Sequence, residues 1–153
     1  MFRVNKLTDY ATVVLIDIAR SDVRLSTHHI AARTGIPLPT IAKLMKALGR
    51  ASLVVSHRGA AGGYALGRPT GEITVADVIQ AVEGPIALTA CADTSEDHCG
   101  IESVCPVQGK WNRVNAAVLS ALRDVTLAEM VADVATFGID SPGSHRRHEP
   151  PAV

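Results

Sequence analysis

The chain of 153 residues lacks several things that would have decided its class at once. It has no run of the roughly 18 apolar residues that a membrane-spanning helix needs, which excludes that way of crossing a bilayer. It has no surplus of charge, with 15 Lys/Arg against 15 Asp/Glu. Its three cysteines are too few and odd in number for the disulfide framework of a small secreted domain. Arg3, Lys6 and the apolar Ala11–Ile16 loosely imitate a secretion signal, but Asp9 and Asp17 interrupt it and no small-residue cleavage site follows. A cytoplasmic protein without a membrane partner is therefore expected. No nucleophile–base pair and no Gly-Lys-Ser/Thr phosphate loop occurs, so neither an enzyme nor a small-molecule substrate is expected.

What is present is ordinary globular composition, 47% hydrophobic and 20% charged, in a length that suits one domain plus an extra helix. The neutral total hides a division. Residues 1–70 hold ten Lys/Arg against three Asp/Glu, a net of +7, whereas residues 71–140 hold three against eleven, a net of −8. A basic half joined to an acidic half implies that only the first half meets a polyanion.

Periodicity organises that basic half. Leu7, Tyr10, Ala11, Val14, Leu15 and Ile18 follow helical spacing over residues 7–20. Ser26 caps a short helix to about Arg33, and Thr34-Gly35-Ile36-Pro37 reads as a turn. With Pro39 at its first position, a further helix places Ile41, Leu44, Met45 and Leu48 on one face and ends before Gly49. Its other face carries Thr40, Lys43, Lys46 and Arg50. Helix, glycine turn and basic helix form the layout of a helix-turn-helix, whose second helix enters the DNA major groove. The strands Leu53–Ser56 and Tyr64–Leu66 then flank His57-Arg58-Gly59-Ala60-Ala61-Gly62-Gly63, a hairpin in the place of a wing. Arg58 is placed to reach phosphate or minor groove, and Gly62 and Gly63 permit close backbone approach.

The acidic half begins with a helix over residues 74–83, capped by Thr74 and stopped by Gly84-Pro85. A long helix starts near Gln108, with Trp111, Val114, Ala117, Val118, Ala121, Leu122 and Val125 in one stripe that requires a partner, here read as a second copy of the chain. Residues 126–137 form a last short helix, and residues 140–153, with three prolines and no apolar pattern, read as a disordered tail.

Between these helices lie Cys91, Cys99 and Cys105, spaced Cys-x7-Cys-x5-Cys-Pro. Structural zinc sites show cysteine pairs two to four residues apart, and none occurs here; a wide loop of thiolates suits an iron–sulfur cluster better. The polar neighbours Asp93, Glu96, Asp97 and His98 argue against three core cysteines. Three thiolates leave one position open, for which His98, Glu102, Gln108 and Asp9 from a partner subunit are candidates.

In this order the pieces resemble the Rrf2 family of bacterial transcription regulators. The matching segments are Arg3-Val4-Asn5-Lys6-Leu7-Thr8-Asp9-Tyr10, the helix end Lys46-Ala47-Leu48, and the wing His57–Tyr64. Glu83-Gly84-Pro85-Ile86 and the three cysteines before Pro106 and Trp111 match as well, so that the likeness covers about residues 1–130. Leu88-Thr89-Ala90-Cys91 and Glu102–Val107 look most like the branch that regulates the SUF cluster-assembly system.

The resemblance implies a mainly α fold with a small β-hairpin: a winged helix-turn-helix over residues 1–85, a cluster-binding loop over 86–107, a dimerisation helix and short terminal helix over 108–138, and a tail over 139–153. It implies a homodimer on double-stranded DNA, a repressor of iron–sulfur assembly genes whose affinity follows the state of a 2Fe–2S or 4Fe–4S cluster. Family members of the cluster-assembly type carry a histidine three residues after the last cysteine, where this chain has Gln108. Nitric-oxide-sensing relatives complete the site with an aspartate from the other subunit, and Asp9 matches it, so Asp9 is expected as fourth ligand ahead of His98. A nitric oxide or redox sensor on the same scaffold is the alternative, as is a cluster or metal carrier without DNA regulation. The +7 of the first half speaks against the carrier.

Overall fold

The computed structural model describes residues 3–89, 105–107 and 109–136. Helix α1 (Lys6–Ala19) starts where the Asn5 side chain accepts a hydrogen bond from the Leu7 amide at 3.0 Å. It buries Thr8, Ala11, Val14, Leu15 and Ile18, the face that the helical spacing marks out. Helix α2 (Thr27–Thr34) is capped by Ser26, whose hydroxyl accepts from the His29 amide at 3.2 Å. It stops at Gly35, which takes the left-handed conformation (φ 72°) that a helix end of this type asks of a residue without Cβ.

Helix α3 (Leu38–Arg50) has Pro39 as its second residue and not its first, and its stripe Ile41, Leu44, Met45 and Leu48 is fully buried. The helix also continues through Gly49 to Arg50, past the expected end. A single glycine costs a helix only about 1 kcal/mol. The real stop comes at Ser52, the one non-glycine residue with positive φ (58°) among the described residues, after which the Leu53 amide donates back to Leu48 O at 2.9 Å.

Strands β1 (Val54–His57) and β2 (Gly63–Leu66) pair antiparallel, with Val54 opposite Leu66 and His57 opposite Gly63. The other edge of β2 is tied to the loop before α2. There the Tyr64 amide donates to Leu25 O at 2.8 Å, and the Leu25 amide donates to Tyr64 O at 3.1 Å. β2 is thereby held along both edges, by β1 and by Leu25.

A 3-10 turn (Thr70–Glu72) leads into α4 (Val75–Glu83), whose cap is reciprocal: Asp77 N donates to Thr74 Oγ1 at 3.2 Å, and Thr74 N to Asp77 Oδ2 at 2.9 Å. Glu83, at the far end of α4, accepts from both the Asn5 amide and the Thr8 hydroxyl of α1. Helix α5 (Lys110–Asp124) and helix α6 (Leu127–Thr136) complete the described chain. Asn115 of α5 holds the segment after α4, accepting from Leu88 N at 3.1 Å and donating to Ile86 O at 3.3 Å.

Thr126 caps α6 as Thr74 caps α4, its amide and hydroxyl both donating to Glu129. The two threonines also pair with each other in an isolated antiparallel bridge, with Val75 N on Val125 O at 3.0 Å and Leu127 N on Ile73 O at 2.7 Å. Leu127 is thereby drawn into the core beside Leu15, Ile30, Leu44, Leu48, Leu53 and Ile73. Burying a leucine is worth about 2 kcal/mol, so the chain after α5 is held to the winged body and does not trail from it.

Candidate nucleic-acid interface and cluster segment

Helix α3 is held from behind by its four buried apolar side chains, which turns its opposite face to solvent. On that face Lys43, Lys46 and Arg50 are exposed, and Thr40 is half-buried. Spacings of three and four residues align them along one side of the helix. Arg58 is exposed on the wing, directly after β1. Among the described residues none of these four cations makes an ion pair or side-chain hydrogen bond. Arg33 and Arg68, in contrast, are engaged by Asp17 at 2.8 Å and Asp77 at 3.5 Å. The first half thus separates cations that hold the body together from cations left free for a partner.

The wing is shaped by two glycines. A Cβ on Gly62 would lie 2.6 Å from His57 O and 2.7 Å from Gly59 O, both main-chain atoms that cannot swing away. Gly63 has φ 139°, and its Cβ would meet the Leu25 carbonyl at 3.0 Å. Both glycines are needed for the turn itself, whatever the wing touches.

Of the expected cluster ligands, Cys91, Cys99 and His98 lie outside the described residues, as do Glu102, Gln108 and the tail 139–153. Cys105 is a free, half-buried thiol, five positions ahead of α5. Asp9 is exposed in the first turn of α1, and its carboxylate carries no hydrogen bond or ion pair among the described residues. It lines an open groove of about 1130 Å³ together with Arg3, Lys6, Thr12, Glu83 and Met130. A free thiol and an unengaged carboxylate are the donor types that a thiolate-and-carboxylate cluster site asks for, so the described part of the set fits such a group.

The stripe of α5 is left largely uncovered. Trp111 is 41% exposed, Val114 45% and Val125 41%, and no residue of this helix is buried. Sequence reasoning passed over three features: the Asp17–Arg33 pair, the Thr74–Thr126 bridge, and a groove beside the wing that His29 and His57 both line. No spacing signal exists for contacts between residues so far apart in the chain. No helix among the described residues is long and apolar enough to cross a membrane.

Comparison with known proteins agrees with this geometry. The profile of the Rrf2 family, described as an iron-dependent transcriptional regulator, matches residues 4–133. The chain is similar to the HTH-type transcriptional regulator IscR of Vibrio atlanticus, at 34% identity over 128 residues that cover 81% of this chain and 72% of that protein. It is equally similar to protein rrf2 of Nitratidesulfovibrio vulgaris, at 34% over 126 residues, 81% of this chain and 83% of that one. Among solved structures it is similar to T. potens IscR, with a TM-score of 0.65 and 29% identity over 92% of this chain and 94% of that one. CymR, the global cysteine regulator of B. subtilis, gives a TM-score of 0.66 and 28% identity over 87% and 98%.

Proposed function

The chain belongs to the Rrf2 family of transcriptional regulators, and from that premise we propose that it is a homodimeric repressor of iron–sulfur cluster assembly genes, governed by a cluster that it binds itself. It is a DNA-binding regulator and not an enzyme. The observation that carries the reading is the free cationic face: Lys43, Lys46 and Arg50 along α3, with Arg58 on a wing whose second strand is tied to Leu25. In this reading those four side chains meet phosphates, Thr40 offers a small polar group to base edges, and Gly62 and Gly63 let the wing backbone approach the duplex.

Two copies would join through the uncovered stripe of α5, around Trp111 and Val114. Two recognition helices would then lie about one turn of DNA, roughly 34 Å, apart on a palindromic site. Residues 1–85 carry the reading head, 86–107 the cluster segment, and 108–138 the dimerisation helix together with α6, which returns to the core. Residues 139–153 form a tail.

Cys91, Cys99 and Cys105 would hold the cluster, with Asp9 of the partner subunit as fourth ligand. When bound, the cluster supplies a group that responds to iron supply and oxidants. The chain's part is to make that response felt at DNA. Asp9 lies on α1, whose buried face packs in the same core as α3, so a ligand drawn to Asp9 biases the setting of the reading head. The test is a mobility-shift titration of the Lys43→Ala, Arg58→Ala double variant. Affinity should fall and the dependence of log K on log salt should flatten by roughly four, two contacts from each protomer, because a lost phosphate contact no longer releases its counterion. Unchanged affinity and slope would overturn the assignment of this face.

A further inference from the structure

A second open groove, of about 750 Å³, lies between the wing, the loop before α2 and α2 itself. Its charged and titratable lining consists of Asp22 and Arg24 from the loop, His29 from the first turn of α2, and His57 from the end of β1. Ser26 and the main chain of the wing turn from Gly59 to Gly63 form the rest of the wall. His29 and His57 share this groove because Leu25 bridges Tyr64 and draws the two segments together.

Charge decides what the groove holds. None of the four side chains makes a hydrogen bond or ion pair among the described residues, so none is committed to the fold. Arg24 and Asp22 cancel. With both imidazoles neutral the groove is therefore uncharged, and with both protonated it carries +2. Histidine is the side chain that ordinarily changes charge between about pH 5 and 8. Arg58 follows His57 directly at the wing, so a polyanion that meets Arg58 passes the mouth of the groove. An extended phosphate backbone reaches both places, which a single free anion does not.

We propose that this groove is a second seat for the DNA backbone, in which the imidazolium groups of His29 and His57 hold a phosphodiester beside the wing contact of Arg58. The inference rests on the reading of α3 and the wing as the DNA-binding face. Its consequence follows from linkage. A phosphate in the groove favours the protonated imidazoles, so binding takes up protons and affinity rises as pH falls.

The experiment uses the full chain with a duplex selected by the chain itself from a random-sequence pool, its cluster state checked by absorption at every pH. Between about pH 8 and about pH 6 affinity should rise roughly three- to tenfold, and the salt dependence should steepen by about one to two, the slope of one or two added phosphate contacts. The His29→Gln, His57→Gln double variant should lose the rise. His28→Gln, a neighbour that does not line the groove, should keep it. Inorganic phosphate should weaken binding no more than chloride at equal ionic strength. A rise that survives the double variant overturns the proposal, as does specific competition by inorganic phosphate, which would make the groove a free-anion site. A parent with flat pH dependence overturns it too and leaves the α3 reading standing. A chain that binds no duplex at any pH overturns both.

Discussion

Arg33 on α2 reaches Asp17 on α1 with two nitrogens, Nε and Nη2, each 2.8 Å from the same oxygen, Oδ1. The other oxygen, Oδ2, is buried without a partner among the described residues. The pair therefore fixes the angle between the two helices in front of α3 while leaving the carboxylate only half satisfied. Arg33→Ala should destabilise the fold by about 1 kcal/mol, a modest figure because the arginine is half exposed and water screens the pair. DNA affinity should fall as well, since α2 sets the entry of α3. Urea denaturation alongside a mobility-shift assay checks both, and an unchanged midpoint would show that water replaces the pair without cost.

Glu129 supplies a pH dependence of stability. Hydrogen bonds from the Thr126 backbone and then from its hydroxyl hold the Glu129 carboxyl below its ordinary value of 4.5. A carboxylate whose folded value is depressed stabilises the native state above its unfolded value, and that contribution is lost as pH falls through the folded value. The stability gap between the parent and Glu129→Gln should accordingly be complete at neutral pH and begin to close once the pH drops below about 4.5. Urea midpoints of both proteins across that range measure it. A gap that widens on acidification would contradict the cap.

Association through α5 is tested at Val114, which is 45% exposed and so contributes little to the fold of one protomer. Val114→Asp would bury an unpaired charge at the seam and should give folded monomers. Sedimentation of an intact dimer would move the interface elsewhere.

The fourth ligand is tested by anaerobic reconstitution of Asp9→Ala and His98→Ala. Asp9→Ala should alter the spectrum and lower cluster stability, while His98→Ala keeps both. The reverse result would assign the ligand to His98 and remove the coupling through α1.

Much of the DNA-binding half was legible in the residue order. Ile41, Leu44, Met45 and Leu48 predicted the buried side of α3 and thereby the free side with Lys43 and Lys46, because one helix period fixes both. Gly35 marked the turn for the same local reason. The end of α3 was misread at Gly49, since glycine weakens a helix without stopping it, and the stop belongs to the backbone of Ser52. Leu127 in the core, Asp17 against Arg33 and the groove shared by His29 and His57 left no trace, because each depends on segments that meet only after folding. The stripe of α5 was legible as apolar, but periodicity says nothing of what covers it.

The bridge between Thr74 and Thr126 makes the segment between α4 and α5 an exchangeable cassette. α4 begins at this junction and α5 ends at it, so residues 84–109 join two helices whose opposite ends are already clamped together. Lengthening such a connection costs little, about 0.6 kcal/mol for each doubling, and none of that cost falls on the packing around Ile73 and Leu127. Segments of other lengths are thus compatible with the same reading head, and a graft between Gly84 and Lys110 leaves the core that carries α3 in place.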